Sequence, residues 1–154
     1  MRGRRMTSRA ECAADVRISV RVVCLKEMHR RVSGLVALAQ LPDDWREGYW
    51  SRSGEPAKIV QQHETQLAGI RKEGCLVAPS PIIVGGQDYA APVLGAGGSL
   101  LGVLCMSRLS RVGESVGHEV FRDAVMDCAA AITAEFGPQS DLNVAGDADD
   151  ENDD

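Results

Sequence analysis

Tyr89 to Ser107 reads YAAPVLGAGGSLLGVLCMS, and this stretch restricts the fold more than any other part of the chain. Tyr89, Ala91 and Val93 alternate with Ala90 and Pro92; Gly95, Ala96, Gly97 and Gly98 then supply a loop that tolerates positive φ, and Leu100 to Met106 returns as a second strand. Alternation sends successive side chains to opposite faces, so Leu100, Gly102, Leu104 and Met106 share one side of the return strand. Leu101, Val103, Cys105 and Ser107 share the other. Both sides are apolar, which requires a sheet covered on two sides. The second side ends in a thiol and a hydroxyl, and small polar groups at the end of an apolar surface are what a buried ligand pocket needs.

The flanking segments alternate between strand and helix patterns. Val16 to Leu25 sets Val16, Ile18, Val20 and Val22 against Arg17, Ser19 and Arg21, the pattern of a half-buried strand near a sheet edge. His29 to Gln40 reads as a helix ended by Leu41 and Pro42, with Ser33, Gly34, Ala37 and Ala39 small enough for close packing on a sheet. Pro42 to Glu55 is polar, with Trp45 and Trp50 as packing points and a Ser-Gly-Glu-Pro turn. Ile59, Val60, His63, Leu67 and Ile70 follow helical spacing up to Gly74, which sits where a C-terminal cap belongs. His63 on that stripe reads as a histidine packed against the core. Cys75 to Val84, interrupted by Pro79 and Pro81, fits only an edge strand or a bend. A last helix from Ser115 to Phe136 places Val116, Val120, Ala124, Val125, Cys128, Ile132 and Phe136 on one stripe.

Composition bounds the function. A chain of 154 residues, 44% hydrophobic, can bury one ordinary core, expected over residues 16–137. No apolar run reaches the ~20 residues of a membrane span. The arginine-rich start lacks the apolar block and cleavage site of a leader, so a soluble protein of the cytoplasm is expected. The cysteines, Cys12, Cys24, Cys75, Cys105 and Cys128, are scattered singly, which points to reduced thiols. They also lack the paired spacing of a zinc site, so no metal and no cofactor is expected. Cys105 between Leu104 and Met106 lacks the electropositive setting of a nucleophile and reads as a buried, inert thiol. His29, His63 and His118 have no partner that sequence alone can place, which argues against an enzyme.

Charge is segregated. Residues 1–31 hold nine basic and three acidic side chains, whereas 141–154 hold seven acids and no base. The tail, from 138 onward, has too little apolar content to offset its ordering entropy and is expected to be disordered, as are the first 15 residues. The basic start contains no pair of helices joined by a tight turn, so it is not a duplex reader by itself.

From His29 to Phe136 the residues carry a resemblance. HRRVSGLVALAQLP resembles the helix H-A-T-A-L-G-K-A-L-L-A-x-L-P of the IclR family of bacterial transcriptional regulators, and LAGIRKEG resembles that family's L-x-x-I-R-x-x-G. The hairpin resembles its I-A-A-P-V strand pair ending in S-x-S, and a long final helix follows in both. The resemblance implies an α+β fold, a GAF-like antiparallel sheet flanked by helices, here N-terminally truncated. It implies a small-molecule effector-binding domain that biases a homodimer or tetramer, with DNA reached only through a winged helix-turn-helix domain that the 28 residues before His29 are too few to supply. A stand-alone GAF-like interaction module, or a remnant without a role at DNA, is the alternative.

The family's effector contacts fall on Ala78, Asp88, Cys105 and Ser107, with the helix start at Val32 and Ser33. Only Ser107 keeps the family's residue type. Ala78 removes a carboxylate and Cys105 replaces a good donor by a weak one. Asp88 places a negative charge where an acid ligand would approach, so the pocket is expected to reject organic acids and favour a neutral or cationic ligand, or none. The competing reading turns Asp88 outward to solvent at the strand start.

Overall fold

The computed structural model describes residues 27–109 and 117–136. The expected strand at 16–25, the basic start and the acidic tail lie outside the described residues. A 3₁₀ turn at Met28–Arg30 leads into α1 (Val32–Gln40), followed by α2 (Asp43–Ser53) and α3 (Ala57–Glu73). Then come β1 (Leu76–Pro79), β2 (Gly86–Leu94), a 3₁₀ turn at Ala96–Gly98, β3 (Leu100–Leu109) and α4 (His118–Phe136). The strands form one antiparallel sheet in the order β1-β2-β3.

The hairpin forms as its alternation requires. Gly97 and Gly98 take φ of 67° and 78°, so the loop uses the conformational freedom the sequence offered. Pro92 lies beyond the last β1–β2 pair, Leu76 with Ala90, where β2 has only β3 as a neighbour. A register shift falls between Val93 and Leu94, and the Leu94 amide donates to Thr133 Oγ1 on α4 at 3.0 Å. β1 is the short edge strand that its prolines dictate.

Helix ends follow local chemistry. α3 stops at Gly74, whose left-handed backbone returns its N–H to the Ile70 carbonyl at 2.8 Å. α2 was not expected from its polar composition. Pro42 precedes it, Asp43 and Asp44 sit in its positive first turn, and Gly54 caps it. The helix expected to begin at His29 starts instead at Val32, because Arg31 is extended (φ −134°, ψ 141°) and separates it from the 3₁₀ turn. Gly34 makes that break possible: a β-carbon there would lie 2.1 Å from the Met28 carbonyl oxygen.

Two apolar layers sandwich the sheet. α1 closes one side with Val32, Leu35, Val36, Leu38 and Ala39, joined by Trp50, Leu67, Ile70 and Ala90. α4 closes the other, where Val125 and Ala129 pack with Cys75, Tyr89, Ala91 and Val93. The stripe expected on α4 is rotated. Phe121, Val125, Met126, Ala129 and Ile132 face the sheet, packing with Tyr89, Ala91 and Val93, whereas Val120 and Phe136 are exposed.

Candidate functional site

Cross-strand register decides which of the expected site residues meet. Ala78 is opposite Asp88 and Asp88 is opposite Ser107, so the three side chains form one row across the sheet. Leu76, Ala90 and Cys105 form the adjacent row on the same face. Ala90 belongs to the α1 layer together with Val32, and Ala78 and Val103 pack against that layer. The face is therefore the one under α1, and Val32 is brought to it. Ser33 is half-buried on α1, and its hydroxyl makes no hydrogen bond among the described residues.

Asp88 points inward. It is 5% exposed, and its Oδ1 is buried with no hydrogen-bond partner among the described residues. The reading that turned it to solvent does not hold for this side chain. Ser107 across from it is exposed, as is Cys105, which corrects the expectation of a buried thiol. Length explains the exposure: nine helical residues span about 14 Å, and ten strand residues about 33 Å. Cys105 is nonetheless chemically quiet. Crowding by its surroundings disfavours the thiolate, the Asp88 carboxylate repels it further, and the pKa is pushed up to about 11.

The opposite face is tied to α4 by hydrogen bonds as well as by packing. Tyr89 is fully buried, and its hydroxyl meets His118 Nδ1 at 2.7 Å. His118, for which the sequence placed no partner, anchors that phenol from the first turn of α4 while remaining exposed itself.

A second polar cluster lies at the entry to α1, and sequence reasoning missed it. His29 is buried, with Nδ1 2.7 Å from the Tyr49 hydroxyl and Nε2 3.1 Å from Glu55 Oε1. Both ring nitrogens are thus engaged, Arg30 Nε also reaches Nε2 at 3.3 Å, and the Tyr49 oxygen accepts the His29 backbone N–H at 3.3 Å. The Arg30 guanidinium, and His29 after it, hold the Glu55 carboxyl below the usual carboxylate range. His63 stacks on Trp50, with ring centroids 5.4 Å apart. Trp50 Nε1 donates to Glu64 Oε1 at 2.6 Å, and Arg46 binds the same carboxylate. The structure thus gives the histidines partners that the sequence alone could not place. Those partners pin the 3₁₀ turn to α2 and α3, with each hydroxyl and carboxylate already used in a hydrogen bond. The one sequence signal for this cluster was Trp50 in a polar stretch.

Among the described residues no cluster of metal-ligating side chains occurs, and no helix is long and apolar enough to cross a membrane. Clefts open over α2 and α3 at Arg46, Trp50 and Glu64, between α3 and α4 at Cys75 and Arg122, and at the hairpin tip beside Ile132 and Phe136. None of these touches Asp88.

No family model matches the sequence, and no curated protein matches it. Solved structures do. An IclR homologue from Microbacterium hydrocarbonoxydans, complexed with 4-hydroxybenzoate, superposes with a TM-score of 0.61 at 21% identity, over 78% of this chain and 50% of that one. The repressor BlcR of Agobacterium tumefaciens gives 0.57 at 20% identity, over 80% and 51%. A C-terminal domain from Vibrio cholerae, described as that of a transcriptional regulator, gives 0.65 at 24% identity, over 79% and 74%. The chain spans about half the length of the longer regulators. It has the α+β fold that IclR homologues contain, and it matches the part that the Vibrio structure isolates as a C-terminal domain.

Proposed function

We propose that this chain is the effector-binding part of an IclR-type transcriptional regulator, in which a small molecule seats on the α1 face of the sheet against Asp88 and Ser107, with Ala78, Cys105, Val32 and Ser33 around it. The observation that carries this reading is the row Ala78, Asp88 and Ser107. Three positions chosen by resemblance, far apart in sequence, fall side by side on one face under α1. The fold likeness, including one homologue solved with 4-hydroxybenzoate, supports the regulator class.

A ligand there touches α1 from below and both strands of the hairpin. Its binding energy can therefore act on the spacing between α1 and the sheet and, through oligomer contacts, on assembly as a homodimer or tetramer. DNA would be held by a separate domain. No step requires a cofactor or a catalytic group.

Screening the intact 154-residue chain against small organic ligands by thermal shift, with light scattering on each hit, tests the reading. The expected result is a ligand that raises Tm, changes the dimer fraction, and loses both effects in Ser107→Ala. A hit that acts equally on Ser107→Ala, or binds without moving the association state, contradicts it. The stand-alone interaction module predicts that hits alter binding of a protein partner and never of operator DNA, even with the DNA-binding domain supplied in the same polypeptide.

A further inference from the structure

The row that brings Asp88 under α1 is unbalanced. Its members are a methyl group, a carboxylate and a hydroxyl, Ala78, Asp88 and Ser107, and it contains no cation. Arg108, the next residue along β3, alternates to the other face and lies over the Phe121 ring, 4.0 Å from its centroid. Asp88 is 5% exposed, and Oδ1 has no partner among the described residues. A carboxylate oxygen withdrawn from water without a donor to meet it is costly for a fold to keep. Such a group marks a place where something else completes the interaction.

We infer that the α1-face site takes a cation, a primary ammonium or amidinium on a small apolar body, with its charged N–H groups directed at Asp88 Oδ1. The inference rests on the effector-binding reading above and names the ligand's chemistry. The nitrogen donates to the carboxylate, and a second N–H can reach the Ser107 hydroxyl, one strand spacing away at about 4.8 Å. The ligand's apolar body lies against the half-buried methyl group of Ala78 at the margin of the α1 layer, behind which Ala90 and Val32 are packed. The neighbouring Cys105 stays a neutral thiol and adds no second negative charge. An acid of the same shape meets the opposite situation, two anions in a partly desolvated site.

The test uses the full chain with matched pairs on common frameworks: benzylamine and benzamidine against benzoate, and butylamine against butyrate. The amines are expected to raise Tm by about 4 °C or more when present several-fold above Kd, and the acids to leave it unchanged. Asp88→Asn abolishes the amine shift. Ser107→Arg, which places a guanidinium directly opposite Asp88 at an exposed position, blocks the amines without harming the fold and serves as the control if Asp88→Asn misfolds.

Stabilisation by benzoate or butyrate that depends on Ser107 overturns the cation assignment and leaves the effector reading standing. Amine stabilisation that survives both Asp88→Asn and Ser107→Arg overturns the assignment to this row. No shift from any of these ligands, together with a higher Tm for Asp88→Asn, shows a merely strained carboxylate and removes the inference and the proposed site together.

Discussion

The two faces of the central sheet are built from alternate residues of the same strands, yet they end in different states. Toward α4, Tyr89, Ala91 and Val93 are buried, the phenol meets His118, and the amide at the register shift meets Thr133. Toward α1, Ala90 is buried in the same way, but at the next position on that face Asp88 is buried without a partner for Oδ1 among the described residues, while Ser107 and Cys105 lie open. A face whose buried phenol and displaced amide both find partners holds the fold. A face that leaves a buried acceptor unanswered has a place for something that answers it.

Perturbing the closed face should produce the largest effect. Tyr89→Ala empties the space of a fully buried ring and strands its partners, and is expected to destabilise by about 3–5 kcal/mol in chemical denaturation. A loss below about 1 kcal/mol would erase the contrast between the faces.

The next effect is kinetic. At pH 8 a thiol of pKa about 11 holds roughly a hundredth of the thiolate of an ordinary cysteine of pKa 9.0. Exposed Cys105 should therefore react with iodoacetamide about a hundredfold more slowly than a free thiol, with the rate rising as pH climbs toward 11. Asp88→Asn should speed the reaction by removing the second cause of the shift. The same shift has a sign for stability: the folded state disfavours the thiolate, so its contribution is intact below pH 9 and is lost as pH rises through about 11. Mass-spectrometric timing of alkylation across pH checks this.

Much of the closed face was legible in the sequence, and the open face was legible only in part. Hairpin alternation and the glycine loop are local signals, so β2, β3 and the two-sided cover followed from residues 89–107 alone. Gly74 and the proline-broken β1 were equally local. The rotation of α4 was not, because Val120, Ala124 and Cys128 are as apolar as Phe121, Met126 and Ala129, and the sequence does not choose between the stripes. The partners of His29, Tyr49 and Glu55, lie 20 and 26 residues away, beyond any periodicity. At the site, register supplied the row, but inward or outward orientation at Asp88 needed the structure.

The break before α1 gives an intermediate effect. Gly34→Ala drives a methyl into the Met28 carbonyl and is expected to cost about 1–3 kcal/mol, measured by urea unfolding, with the 3₁₀ turn displaced from α1. Tyr89→Phe, which keeps the ring and removes the bond to His118, should cost about 1 kcal/mol. The smallest change has the opposite sign. Asp88→Asn should leave stability unchanged or raise it by up to about 1 kcal/mol in the absence of ligand, since it relieves a buried charge. A clear loss would mean that the carboxylate is already satisfied, and would make the two faces alike.

Methyl-resolved NMR titration of the intact chain with the amine that stabilises it most tests the contrast between the faces directly. Ligand on the α1 face shifts the methyl signals of Val32, Ala78 and Ala90 and leaves those of Val77, Ala91, Val125 and Ala129 in place. Shifts concentrated on Val77, Ala91, Val125 and Ala129, with Val32, Ala78 and Ala90 unmoved, would contradict the account.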